Sequence, residues 1–330
     1  MRLLNEFLSL TKFLSKRLYL LIKIFSILLI FAPFSYSYSE SADINSKKTV
    51  VMFNSENVQD IALKYDISEF RENRENYQEE GVPGTVILSS GKEIPVEVIA
   101  RGNGSLSNQN PPFKLKFKRK KTLGTVFQGL KKVKIFANAN EIDPSKETLI
   151  KSNYLIYKLA EIFNPYAFKT RMFNITYMDT SKKIESFKTS AFFLEPNKIV
   201  AKRYGMIYAP FKPERCYHSE VNTTCDASEV TGSIEASVLS KMTAFQFFIA
   251  NIDHAIPGYD SVMFKGIATS EKNIKLIKNS KSYYPLAYDF DFSPLIDRGV
   301  CMWEIGFNLL SSERSSHYPN LKPICDKYYI

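Results

Sequence analysis

Apolar and polar positions alternate strictly over Phe113-Lys114-Leu115-Lys116-Phe117-Lys118. A strand with that pattern turns Phe113, Leu115 and Phe117 to a core and its three lysines to the other face. Just upstream, Thr85-Val86-Ile87-Leu88 and Ile94 to Ala100 flank Ser89-Ser90-Gly91-Lys92, which predicts a hairpin. Val126-Phe127 and Val133-Lys134-Ile135-Phe136 extend the same sheet. A helix is predicted from Asp143 (N-cap) and Pro144, with Leu149, Ile156, Leu159, Ile162 and Phe163 as its buried stripe. Phe173 to Tyr177 and Ser190 to Glu195 read as two further strands.

The second half opens with a helix capped by Ser233, with Ile234, Val238, Met242, Phe245 and Ile249 recurring at helical spacing. Pro257-Gly258 then forces a loop, which leaves Asn251, Asp253 and His254 at the helix end or just beyond it. Val262-Met263-Phe264 and Tyr288 to Phe292 are expected to form a short hairpin. The class implied is α+β.

Composition adds the compartment. With 45% hydrophobic and 14% aromatic residues the chain is globular. Residues 1–39 differ: Arg2, Lys12, Lys16, Arg17 and Lys23 are followed by the apolar run Ile24 to Ala32 and by small residues at 35–39. That order predicts an export signal or an N-terminal anchor, and a secreted, periplasmic or envelope location. No later stretch is apolar enough to span a membrane. Residues 40–80 read as a weakly structured lead-in to a domain over 81–330. Four cysteines in an exported chain favour two disulfides, Cys216–Cys225 with Cys301–Cys325 or one of the two other connectivities. A net charge of +10 suits an anionic ligand, and no nucleic-acid-binding motif accompanies it.

The candidate chemistry centres on Tyr288-Asp289-Phe290-Asp291-Phe292, two carboxylates spaced i, i+2 among aromatic residues. In extended backbone both acids point the same way, and a divalent cation is the usual compensation for such a pair. The other reading is an edge strand with two solvated acids. A phosphotransferase needs phosphate donors, a lysine, a base near the acceptor hydroxyl and a carboxylate on magnesium. In chain order, Arg101 with the Gly102 to Ser105 turn, Lys114 or Lys116, Asp253, and Asp289 with Asp291 can fill those roles. Glu195 either borders a nucleotide pocket or faces water, and His254 is read as structural.

These stretches, with Asn153 to Leu159, Ala191 to Glu195 through Ala201-Lys202-Arg203, and Ile249 to Asp253, resemble the spore-coat CotH kinases and their secreted bacterial relatives. The resemblance implies a two-lobed atypical protein-kinase-like fold, with a β-rich first lobe at about 81–200 and a more helical second lobe at about 201–330. It implies Asp253 in the catalytic loop, Asp289 as the metal-binding acid with Asp291 beside it, and Mg2+ (or Mn2+) with ATP as cofactors. At three positions the chain departs from the family: Asn153 replaces an acid, Ser261 replaces a metal-binding asparagine with Asp260 next to it as a possible oxygen ligand, and Pro294 replaces a glycine. The expected function is phosphotransfer to Ser/Thr hydroxyls of an envelope or extracellular protein. The alternatives are a pseudokinase scaffold and, third, a metal-dependent glycosyltransferase.

Overall fold

The computed structural model describes residues 49–102, 106, 112–137, 145–212, 216–218, 223–249, 251, 253–261, 266–268, 271–290 and 293. For residues 145–146, 216–218, 223–225, 260–261 and 266–267 it describes the backbone alone. Seven strands close into a barrel: β1 (Gln59–Tyr65), β2 (Val82–Leu88), β3 (Glu93–Ala100), β4 (Phe113–Phe117), β5 (Lys132–Ala137), β6 (Thr170–Asp179) and β7 (Phe187–Leu194). Their order is β1-β2-β3-β4-β5-β7-β6, with every pair antiparallel except β1–β6, whose parallel pairing closes the ring. The predicted hairpin is β2–β3, and β4 buries Phe113, Leu115 and Phe117 as its alternation requires.

Leu63, Val86, Val98, Leu115, Ile135, Ile175 and Phe193 fill the interior, as expected of a barrel of this size. Val126-Phe127 does not extend the sheet. It lies in a turn that puts the Phe127 ring into the barrel, 4.9 Å from Phe117 and 5.8 Å from Phe193. Much of the stretch read as a lead-in is also structured. Residues 59–65 are barrel strand β1, and α1 (Ile67–Glu72) follows, capped by the Asp66 carboxylate, which accepts the Glu69 N–H at 2.9 Å. Ile61, Leu63, Tyr65, Ile67 and Phe70 form one apolar series, of which only the beginning stands out in the sequence.

A second core lies on the outer face of β6 and β7. Ala191 and Phe193 point into the barrel, whereas Phe192 and Leu194 point out and join Ile156, Tyr157 and Ala160 of α2 (Ser145–Phe163). The run from Ser190 to Leu194 is thus buried on both faces, which explains its uninterrupted apolar character. The stripe of α2 differs in part from expectation, since Ile162 is 68% exposed while Tyr157 and Ala160 are buried. Next come α3 (Asn197–Arg203), β8 (Ile207–Tyr208), the pair β9 (Cys216–His218) and β10 (Thr223–Cys225), and α4 (Ala236–Phe248). They are followed by the pair β11 (Asp260–Ser261) and β12 (Gly266–Ile267), then β13 (Ile274–Lys278) and β14 (Tyr283–Ala287). The last two form a sheet in the order β14-β13-β8. Cys216 and Cys225 are direct Cα partners across β9–β10, while Cys301 and Cys325 lie outside the described residues.

The two-lobed kinase-like fold with a helical second lobe is not what the chain adopts. It is a β-rich fold built on a closed barrel, and the described second half carries one long helix, α4, among short strands. The physical reason lies in Ile274-Lys275-Leu276-Ile277-Lys278 and Tyr283-Tyr284-Pro285-Leu286-Ala287, two β-favouring runs that pair over five residues each. The predicted hairpin of Val262 to Phe264 with Tyr288 to Phe292 gives way to this one, and 262–264 lie outside the described residues. Among the described residues no helix is long and apolar enough to cross a membrane.

Candidate functional site

Strand β5 turns Val133 and Ile135 into the barrel, so Lys134 and Phe136 face outward towards the second core. That position half-buries a lysine. Its pKa falls to about 8, first through desolvation and then through the field of Arg101, with Asp289 opposing and Lys275 and Lys114 adding to the fall. The Lys134 Nζ lies 5.1 Å from the centre of the Tyr288 ring, and Lys275 Nζ of β13 lies 5.0 Å from the same ring. For Lys275 burial opposes the charge, but the fields of Tyr288 and Glu271 outweigh it and the pKa is raised. Arg101, at the end of β3, stacks its guanidinium 4.7 Å over Phe136. Lys114 is the direct Cα partner of Lys134 on β4, and its pKa is lowered by burial and by Lys132 and Arg101. Lys134, Lys114 and Arg101 thus gather positive charge on neighbouring strands, an arrangement that suits an anion.

The acids come from segments packed in the second core. Past α4, Gly258 adopts φ 82°, where a Cβ would stand 1.9 Å from Thr231 Oγ1, so the loop can turn only with glycine there. Ala255 and Lys272 exchange backbone hydrogen bonds of 2.9 and 3.1 Å, fixing the loop to the residues ahead of β13. Asp253, 5% exposed, accepts the Asn273 side-chain amide on Oδ2 at 2.8 Å, and its N–H donates to Asn251 Oδ1 at 3.2 Å. Its Oδ1 is buried with no hydrogen-bond partner among the described residues, the nearest cation being Lys272 Nζ at 3.7 Å. Burial raises the Asp253 pKa, Asp289 adds to the rise, and Lys272 and Asn273 oppose it. His254 places Nδ1 3.0 Å from the Asn251 carbonyl oxygen, and burial lowers its pKa.

Asp289 is not in a strand. β14 ends at Ala287, the Tyr288 N–H donates to the Asn273 carbonyl at 3.1 Å, and Asp289 sits at φ 62° in the left-handed region that aspartate tolerates. Its N–H donates to the Tyr157 hydroxyl at 3.0 Å. The turn buries Phe290 against Tyr157 and Phe245, at ring separations of 4.8 and 5.8 Å. The strand alternation expected for Asp289 and Asp291 therefore does not hold at Asp289, and Asp291 lies outside the described residues. The Asp260 backbone pairs with Ile267 in β11, and its side chain lies outside the description.

Thus Arg101, Lys114 and Asp289 all act on Lys134, and Asp289 in turn acts on Asp253. Lys116 is elsewhere engaged, in a 2.7 Å ion pair with its cross-strand partner Glu97. Glu195, 2% exposed, accepts Arg203 through both carboxylate oxygens at 3.0 and 2.7 Å, and the Lys169 N–H at 3.0 Å. Those bonds make it a brace between β7 and α3 rather than the rim of a pocket. Asn153 is 7% exposed, and its Oδ1 has no partner among the described residues. Lys134, Tyr157, Lys272, Asn273 and Lys275 belong to the site and were not singled out from the sequence. One signal was available for Lys134: its same-face neighbour two residues on is Phe136, whereas Lys116 is flanked by Lys114 and Lys118.

Chemically, the site offers cations for a multiply charged anion and two acids for a divalent cation or a proton. The Oδ1 of Asp253, which accepts no hydrogen bond among the described residues and faces only the Lys272 ammonium at 3.7 Å, can serve as an oxygen ligand or base. Magnesium is typically held by one or two carboxylates together with phosphate oxygens. Among the described residues no group of three or more His, Cys, Asp or Glu side chains could hold a metal, and the acids on offer are Asp253 and Asp289. No protein-family model matches the chain, and no curated protein matches it either.

Proposed function

We propose that the chain binds a magnesium–ATP complex at this site and transfers a phosphoryl group to a hydroxyl. The observation that carries the reading is the placement of Lys134, half-buried with its ammonium 5.1 Å from the ring centre of Tyr288, the residue before Asp289, and near enough to Arg101 and Lys114 to feel their charge. Lys134, Arg101 and Lys114 face the phosphates, and Asp289 holds the cation. Bound magnesium would neutralise charge on the phosphate oxygens. Asp253 takes the proton of the acceptor hydroxyl as that oxygen bonds to the terminal phosphorus. The bond from that phosphorus to the bridging oxygen breaks, and its electron pair leaves on the diphosphate. A carboxylate whose pKa is raised by burial is better matched to this task than a solvated one.

The acceptor class, Ser/Thr hydroxyls of an envelope or extracellular protein, follows from the export pattern of residues 1–39 and from the resemblance to CotH kinases. The reading rests on side-chain chemistry and not on the fold. Saturating Mg-ATP is expected to stabilise the purified protein by about 3 kcal/mol at a hundredfold excess over Kd, and Asp289→Asn to remove that stabilisation. Labelled ATP with an envelope extract then separates the readings. Transfer supports the kinase, binding without transfer supports a scaffold, and no binding in magnesium or manganese refutes both.

A further inference from the structure

Asn273 stands immediately before β13 and is 8% exposed. Its two ends serve different partners. The side-chain amide donates to Asp253 Oδ2 at 2.8 Å, and the backbone carbonyl accepts the Tyr288 N–H at 3.1 Å. One residue therefore fastens the loop after α4 to the turn after β14. Its own backbone is left-handed, at φ 48°.

We infer that Asn273 is the positioning residue of the site, its amide aiming the Asp253 carboxylate and its carbonyl holding the turn that presents Asp289. This rests on the phosphotransfer reading. The residue type follows from the two demands together. Left-handed backbone favours Gly, Asn or Asp. Of these, Gly has no side-chain donor and an ionised Asp would repel Asp253, so asparagine alone meets both. Because the amide occupies Oδ2, Oδ1 faces only the Lys272 ammonium at 3.7 Å and can accept the proton of an acceptor hydroxyl.

The test uses the full chain and two variants. Asn273→Gly keeps the backbone turn and the carbonyl bond to Tyr288 but removes the amide. Asn273→Asp keeps the shape and reverses the interaction with Asp253. With phosphate release from Mg-ATP as the readout, both are expected to lower kcat about ten- to a hundredfold, with KM within about threefold of wild type, because Lys134 and Arg101 are untouched. In Asn273→Gly without ligand, amide exchange over residues 250–256 should quicken by about tenfold, while residues 284–290 exchange as in wild type. Unchanged exchange over 250–256, or a rise in KM with kcat unaltered, overturns the inference. Should the wild type fail to turn over or bind Mg-ATP, the phosphotransfer reading falls, and the exchange data still decide whether Asn273 holds the loop.

Discussion

Replacing Lys134 by Met tests the site with two effects of opposite sign. In the folded chain the Lys134 pKa is about 8 against an ordinary 10.5, a difference that corresponds to about 3 kcal/mol of unfavourable charge burial. Because the folded pKa is depressed, the folded state binds fewer protons than the unfolded state between about pH 8 and 10.5. The penalty is therefore fully present below pH 8 and is relieved as pH rises through that window. Methionine keeps most of the aliphatic length and removes the charge, but it forfeits the cation–π contact with Tyr288, worth about 1 kcal/mol. The net expectation at pH 7 is a variant more stable by about 1–2 kcal/mol, read as a higher urea midpoint. The advantage should shrink as pH approaches 10, and in the same variant Mg-ATP binding should be lost. A Lys134→Met protein no more stable than wild type at pH 7, with a gap that does not change with pH, would refute the argument.

Three further outcomes follow from neighbouring contacts. Lys272→Met removes the ammonium 3.7 Å from Asp253 Oδ1, and should tighten Mn2+ binding by up to about fivefold in a calorimetric titration, since the pair is partly exposed. Glu195→Ala strips the Lys169 N–H of its acceptor and leaves the Arg203 guanidinium with the Ala167 carbonyl but no counter-charge. A loss of about 3 kcal/mol in urea unfolding is expected, with Mg-ATP affinity retained by the folded fraction. Tyr157→Phe strips the Asp289 N–H of its acceptor in a buried setting and should cost about 1–2 kcal/mol, visible as a lower Tm and weaker cation binding.

Local patterns carried much of this architecture. The period-2 alternation of Phe113 to Lys118, the hairpin around Gly91 and the helical recurrence from Val238 to Ile249 correspond to β4, β2–β3 and α4. What could not be read was which outward face would be covered. Lys134 is set apart from Lys114 and Lys116 locally only by its same-face neighbour Phe136, and that the second core packs against this face depends on residues far along the chain. The acid at 289 was visible as a residue but not as a conformation, because its left-handed turn depends on Tyr157 and Asn273, both far away in the chain. Closure of the barrel was hidden for the same reason: no short-range signal links residues 59–65 to 173–179.

That closure bears on how the molecule is made. β1 must wait for β6, more than a hundred residues later, before its second edge is paired. Until then a nascent chain presents an open β-ribbon, and loop-closure entropy opposes its completion. Folding should therefore be slow and late, so a chaperone that delays collapse would have a long interval in which to act.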